Sequence, residues 1–312
     1  MSLQKIEKAI LTAQRIAHWE AYLIEYDHKK NPNEYVCYAF HFEPKELLNN
    51  IVNSMSSNFF NKVKNQERVL EYTDQNPKGT IEKLSLNSSL IHKTWASLLN
   101  HINTSDDTCK LKDISPNAFI FVGNYQDENG NDKNLYFLTQ KNPVLSFKKR
   151  TPIFVSRHNT VVEAQEPMIQ FGRCCDILIT DHTLYSVNNN FESIFNIEYS
   201  HKIVCREHLA ELETADLIDD MESYKTFAVS GQNSKKFITY DAQIVAKLQK
   251  QEYKDLLKKE LRIPVNPATH KFDLSKPQNA RNFTLAICGK TKLNMFDKGV
   301  CEVPSSVPIS FS

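Results

Sequence analysis

Alternating aromatic and β-branched residues predict strands through the first half of the chain. Residues 16–26 (IAHWEAYLIEY) and 35–42 (YVCYAFHF) show this pattern, with a polar loop between them, and we expect them to form an antiparallel pair. Residues 119–122 and 135–138 flank a polar loop with an Asn-Gly dipeptide, which favours a hairpin turn. Further short strands are predicted at residues 68–72, 81–86, 144–147, 153–155, 160–162, 176–179 and 183–187.

Helical spacing marks other segments. Pro44 precedes a stretch whose apolar residues fall on one helical face, and residues 90–102 have the same spacing. Beyond residue 198 the pattern changes to helices, predicted at residues 199–212, 215–227 and 236–261, with the last broken near Gln251. The remaining tail is rich in proline and gives no clear assignment.

The order of these elements predicts an α+β fold. We expect a strand-rich, mostly antiparallel N-terminal portion with a helical C-terminal portion packed on it. A chain of 312 residues is long enough for two domains at about 150 residues each. The predicted domains are residues 1–196, which include a basic strand segment, and residues 197–312, which are mainly helical.

Composition and motifs exclude several classes of chemistry. The chain has neither a Walker-type loop nor a G-x-G-x-x-G turn, and no H-E-x-x-H, C-x-x-C or G-x-S-x-G. We therefore predict no cofactor and no metal site. The seven cysteines are scattered, which favours reduced thiols in a cytosol. No apolar run approaches the ~20 residues that span a bilayer, so the sequence predicts a cytoplasmic protein.

Local segregation of positive charge is the main functional signal. With 38 Lys and Arg against 37 Asp and Glu, the chain is nearly neutral, but residues 134–157 contain no Asp or Glu at all. Long cationic side chains on such a surface would neutralise DNA phosphates. A second basic site follows a polar turn and precedes the predicted helix at residues 236–261, whose first amides could add to an anion site. The predicted DNA-binding residues are Lys141, Lys148, Lys149, Arg150, Arg157, Lys235 and Lys236.

Two other interpretations of these residues stay open. Lysines on an amphipathic helix commonly form a solvated face, and the aromatic residues among the cations alternate as core residues of a strand do. A magnesium-dependent nuclease would instead use Asp176 and Asp181, with Glu163 from a preceding strand. Aspartate at such a corner more often caps backbone amides, and no E-x-K or D-x-K follows the acidic strand.

Residues 175–202 (CDILITDHTLYSVNNNFESIFNIEYSHK) resemble the central motif of the KwaB family, the soluble component of the Kiwa anti-phage defence system. Residues 135–150 (LYFLTQKNPVLSFKKR) are similar to a strand, basic turn and strand of that family. Cys174 and Cys175 stand where an aliphatic or aromatic residue would be expected. The residues that carry the central motif are Asp176, Leu178, Leu184, Tyr185, Asn188, Phe191, Glu192, Ile194 and Phe195.

The resemblance implies a DNA-binding effector that acts with a small multi-helix membrane protein, KwaA in that system. Such a protein would be cytoplasmic and recruited to the inner face of the membrane by its partner. We therefore predict binding of double-stranded DNA through a basic surface, without sequence readout, by a homo-oligomer. The alternatives are a Mg²⁺-dependent nuclease acting on phage DNA and a non-catalytic adaptor within a defence complex.

Overall fold

The structure is a computed structural model that describes residues 2–44, 46–66, 68–73, 79–105, 116–140, 154–157, 160–163, 174–293 and 300–302. The chain divides into two units, each with its own buried core. The first comprises Met1–Glu71 and Lys78–Ile197, and the second Tyr72–Pro77 and Glu198–Ser312. A mostly antiparallel sheet together with many helices confirms the predicted α+β class.

The first unit is built around an eight-stranded sheet. The strand order is β2-β1-β5-β6-β9-β10-β4-β3, and a separate two-stranded sheet pairs β7 with β8. Among the described strand pairs of the large sheet, β3 and β4 alone run parallel. The elements are α1 (Ser2–Ala13), β1 (Trp19–Glu25), β2 (Val36–Ala39), α2 (Glu46–Lys64), β3 (Arg68–Glu71), β4 (Thr80–Ser85), α3 (His92–Asn103), β5 (Ala118–Gln126), β6 (Asp132–Gln140), β7 (Phe154–Arg157), β8 (Thr160–Glu163), β9 (Ile177–Ile179), β10 (Thr183–Ser186) and α4 (Asn190–Ile194).

Helices cover both faces of the large sheet. Phe121 and Phe137 point to one face, where Phe59 of α2 packs against them. Tyr136 is the preceding residue on β6 and points to the other face, where its ring meets the edge of Trp95 from α3 at 5.1 Å between centroids. Because both faces are covered, β5 and β6 are nearly continuous runs of buried residues.

The predicted hairpin around the Asn-Gly dipeptide is confirmed. Strands β5 and β6 pair along their whole length, and Gly130 in the turn has φ of 78°, a conformation that glycine adopts without a steric penalty. The carboxylate of Asp127 accepts hydrogen bonds from the backbone N–H groups of Asn129 and Asn131, both at 2.9 Å. Local turn chemistry therefore fixes the register of the two central strands.

Gly123 on β5 provides the space for a buried indole on the neighbouring strand. A Cβ atom at this position would lie 2.8 Å from the ring of Trp19 and from Cδ1 of Ile16. We expect Gly123→Ala to lower the free energy of unfolding by about 2 kcal/mol, because over-packing forces such side chains from their rotamers. Urea unfolding measures the change, and Asn124→Ala, at the next exposed position, is the control. Equal urea midpoints for the two variants would contradict this prediction.

Most of the predicted elements of the first unit are confirmed, with one omission and one surprise. The antiparallel pair β1–β2 and the helices α2 and α3 lie where the pattern placed them. Helix α1 was not predicted, although Ile6, Ile10 and Ala13 have helical spacing and are buried in the core. The strands predicted at residues 68–72 and 81–86 form, but they pair in parallel.

The second unit is mainly helical within the residues that are described. Its core includes Phe272 and Phe283, whose ring centroids lie 5.0 Å apart, and the hydroxyl groups of Tyr224 and Thr284 lie 2.9 Å apart. Its elements are α5 (Ile197–Thr214), α6 (Met221–Val229), α7 (Asn233–Lys236), a 3-10 helix (Phe237–Thr239), α8 (Gln243–Leu248), α9 (Gln251–Leu261), α10 (Pro277–Ile287), β11 (Thr291–Leu293) and β12 (Val300–Glu302).

The single helix predicted at residues 236–261 is wrong, although its predicted break near Gln251 is confirmed. Tyr240 is extended, and the Asp241 carboxylate accepts a hydrogen bond from the N–H of Gln243 at 2.9 Å. This hydrogen bond forms a new turn at Asp241. Aspartate side chains that bond to nearby backbone N–H groups compete in this way with continuation of the helix. A second extended residue, Lys250, separates α8 from α9.

Helix length and hydropathy bear on the question of membrane spanning. In the part of the chain that the structure describes, no helix is both long enough and apolar enough to cross a bilayer.

Candidate nucleic-acid interface

The segment that carries most of the predicted DNA-binding residues connects two neighbouring strands. Strands β6 and β9 are antiparallel partners, and the N–H of Asp176 donates to the carbonyl oxygen of Leu138 at 3.0 Å. The chain leaves the sheet after Gln140 and is described again from Cys174. Since paired strands lie about 4.8 Å apart, both ends of residues 141–173 meet at one end of the sheet. We call residues 141–173 the insertion.

Asp176 fastens the strands where the insertion begins and ends. One carboxylate oxygen, Oδ2, accepts hydrogen bonds from the N–H of Gln140 at 2.8 Å and from Oγ1 of Thr139 at 3.2 Å. The other, Oδ1, accepts from the side-chain amide of Asn188 at 2.6 Å. The residue is only 8% exposed. Its carboxylate thus links the end of β6 to the segment after β10. This structural role agrees with the interpretation that the aspartate caps backbone amides.

Of the five predicted cations of the insertion, Arg157 lies in the described part of the chain and the other four lie outside it. Arg157 is the last residue of β7, and its backbone pairs with Thr160 at the closed end of the β7–β8 hairpin. Glu163 lies at the other end of this hairpin, paired with Phe154. The predicted residues that lie outside the described part of the chain are Lys141, Lys148, Lys149 and Arg150.

The structure does not bring the alternative metal ligands together. Asp181 lies in the turn after β9, and its carboxylate is 3.2 Å from Nζ of Lys133. Asp176 precedes the same strand, so the two positions lie at opposite ends of β9, five steps and up to about 16 Å apart at 3.3 Å per residue. Magnesium ligands must lie within about 2.1 Å of one ion. Among the described residues, no group of three or more His, Cys, Asp or Glu side chains is placed to hold a metal.

Lys235 and Lys236 lie in the second unit, and both ammonium groups have partners there. Nζ of Lys235 is 5.3 Å from the centroid of the Tyr72 ring, a cation–π distance. Nζ of Lys236 donates to Oδ1 of Asn233 at 2.9 Å. Helix α7, which they end, has only four residues. The long helix whose first amides were expected to add to an anion site is therefore absent at this position.

Sequence reasoning did not identify Cys174 as a chemically distinct residue. Its thiol is half-buried beside the end of the insertion, and it lies 3.0 Å from the carbonyl oxygen of Cys175. A hydrogen bond involving Cys175 and the nearby charge of Lys62 lower the pKa of the Cys174 thiol, whereas burial raises the pKa of Cys175. These surroundings favour the thiolate form at Cys174 over that at Cys175.

Comparison with known proteins identified no relative of this chain. No family model matches the chain, and neither a curated protein nor a solved structure matches it.

Proposed function

We propose that this protein binds double-stranded DNA through the insertion, without reading its sequence. On the resemblance to the KwaB family, we propose that it serves as the DNA-binding effector of a bacterial anti-phage defence system. Its predicted contact residues in the insertion are Lys141, Lys148, Lys149, Arg150 and Arg157.

One observation supports this proposal above the others: a segment with a clear excess of positive charge is held by both ends at one end of the large sheet. Residues 141–173 contain six of the 38 Lys and Arg residues and only two of the 37 Asp and Glu residues. Strands β6 and β9 hold its ends together, and Asp176 bonds to groups on both sides of the gap. A basic element anchored in this way suits contact with the phosphate backbone, which carries no sequence information.

The competing functions have less support. The nuclease alternative needs Asp176 as a ligand, but both of its carboxylate oxygens already accept hydrogen bonds within the protein. The adaptor alternative gives no role to the charge of the insertion. A single binding experiment separates all three.

Purified protein is expected to retard duplexes of unrelated sequence equally, and to leave them intact with or without Mg²⁺. If the five predicted cations of the insertion each neutralise one phosphate, the logarithm of the binding constant should fall against the logarithm of salt concentration with a slope of roughly −4 to −5. Electrophoretic mobility shift measures both results. Degradation of the duplex that depends on Mg²⁺ would support the nuclease function instead. If the duplex is not retarded even at low salt, DNA binding is excluded and the adaptor function is favoured.

We also propose that the protein is a cytoplasmic homo-oligomer recruited to the inner face of the membrane by a KwaA-like partner. This part of the proposal rests on the resemblance alone. Co-expression with a KwaA-like multi-helix membrane protein should move the protein from the cytosolic to the membrane fraction. If it stays in the cytosolic fraction, the membrane part of the proposal fails and the DNA-binding part is unaffected.

A further inference from the structure

A cleft of about 950 Å³ opens on the first unit, away from the end of the sheet where the insertion is anchored. Its floor is formed by β1, β5 and the first half of β6, and its walls by the last turn of α3 and the segment from β2 to the start of α2. Clefts of 300–1,000 Å³ are the usual size for sites that enclose a small molecule. No part of the proposed DNA contact uses it.

The lining of the cleft combines carboxylates with aromatic rings. Two carboxylates, Glu20 and Glu46, line the cleft together with the imidazoles of His18 and His41, and neither Lys nor Arg occurs among the described residues that surround it. Aromatic rings make up much of the remaining surface, including Tyr22, Tyr136 and Phe40. A phosphate or carboxylate ligand would meet like charge from both carboxylates, and the described lining offers no Lys or Arg to offset it. An ammonium group would meet both carboxylates and the electron-rich faces of rings.

Two of the polar groups that line the cleft are held in place by hydrogen bonds before any ligand arrives. Oε2 of Glu20 accepts a hydrogen bond from the Tyr22 hydroxyl at 2.7 Å, which orients the carboxylate and leaves further acceptor positions on it. The Tyr136 hydroxyl accepts from the side-chain amide of Asn134 at 3.1 Å. The Trp95 ring also packs against the Tyr136 ring, nearly perpendicular to it. Such fixed groups reduce the entropy lost when a ligand binds.

We infer that this cleft binds a small organic cation of the aliphatic polyamine class. Several ammonium groups on one flexible chain can engage Glu20 and Glu46 together, while the methylene groups between them lie against the aromatic rings. Volume, charge and lining chemistry all point to the same class of ligand.

The test is isothermal titration calorimetry of nucleic-acid-free protein with spermidine, with adenosine monophosphate as the anionic comparison. Spermidine is expected to bind saturably, and adenosine monophosphate is expected not to bind. Because a hydrogen bond to a charged group contributes more than a neutral one, Glu20→Gln should weaken spermidine binding by about 10-fold or more. Glu34→Gln makes the same charge change at another exposed position and should leave the affinity unchanged.

Three outcomes would overturn the inference. They are the absence of spermidine binding to folded protein, equal affinity in the Glu20→Gln and Glu34→Gln variants, and binding of adenosine monophosphate at the same site. An arginine-containing peptide that displaced spermidine and bound more tightly through Glu20 would assign the cleft to a protein side chain instead. Glu20 is an exposed residue, so both variants are expected to stay folded. Their thermal melting temperatures distinguish a loss of ligand binding from a loss of the fold.

Discussion

Reversing three charges of the insertion together, as K148E/K149E/R150E, is expected to raise the dissociation constant for duplex DNA by on the order of 100-fold. Each cation that contacts a phosphate releases a counterion when it binds, so the salt dependence should change as well. The slope of log K against log salt should become shallower by about three, one for each lost contact. Fluorescence anisotropy with labelled duplexes over a series of salt concentrations measures both quantities.

The matched control places the same charge change elsewhere. Lys247, Lys250 and Lys258 are exposed on or beside α8 and α9, so K247E/K250E/K258E alters the net charge equally. Its affinity should fall only by the small factor that long-range repulsion causes, with the slope unchanged. An equal loss in both triple variants would mean that bulk charge, rather than the insertion, controls binding.

Replacing Asp176 with alanine is expected to lower the free energy of unfolding by about 3 kcal/mol. The change removes hydrogen bonds to a charged group and leaves the N–H of Gln140 and the amide of Asn188 without this partner in a partly buried environment. Each such loss costs on the order of 1–3 kcal/mol. Urea denaturation provides the measurement. A stability equal to that of the unchanged protein would show that the carboxylate does not fasten the strands.

Asp181→Ala is the control for this experiment. Its ion pair with Lys133 is about one-third exposed at both ends, so its removal should cost less than about 1 kcal/mol. The contrast also affects how the nuclease alternative is tested. Loss of the proposed defence activity in an Asp176 variant could follow from instability alone, whereas Glu163→Gln tests metal-dependent cleavage without removing the Asp176 hydrogen bonds.

Local patterns predicted the elements that depend on local chemistry. The β5–β6 hairpin follows from alternating apolar residues around a turn that requires positive φ at Gly130. Helix α2 follows from apolar spacing after Pro44. The break between α8 and α9 was anticipated near Gln251, but the earlier turn at Asp241 was not, because a short Asx turn leaves little trace in apolar periodicity.

The sequence did not predict which strands pair when they are far apart in the chain or run in parallel. The parallel arrangement of β3 and β4 depends on the path of the chain between them, which two short strand patterns do not specify. The position of β9 beside β6 joins segments far apart in sequence. Periodicity places a residue on a face of a strand, but it does not identify the neighbouring strand.

In the candidate site, too, features set by local sequence were predicted and features set by the fold were not. The absence of acidic residues at 134–157 was visible as composition. The proximity of Asp176 and Asp181 was inferred from their spacing, yet a strand between them keeps them apart. The cleft around Glu20 had no sequence signal, because its lining comes from several segments that only the fold assembles.

The adjacency of β6 and β9 has a consequence for how such a protein can change. Two neighbouring antiparallel strands can be connected by as few as two residues, so the ladder between them does not depend on what joins them. Insertion length and charge are therefore free to vary without disturbing the scaffold. If the insertion contacts DNA as proposed, a different loop on the same two strands could change the bound partner and leave the sheet unaltered.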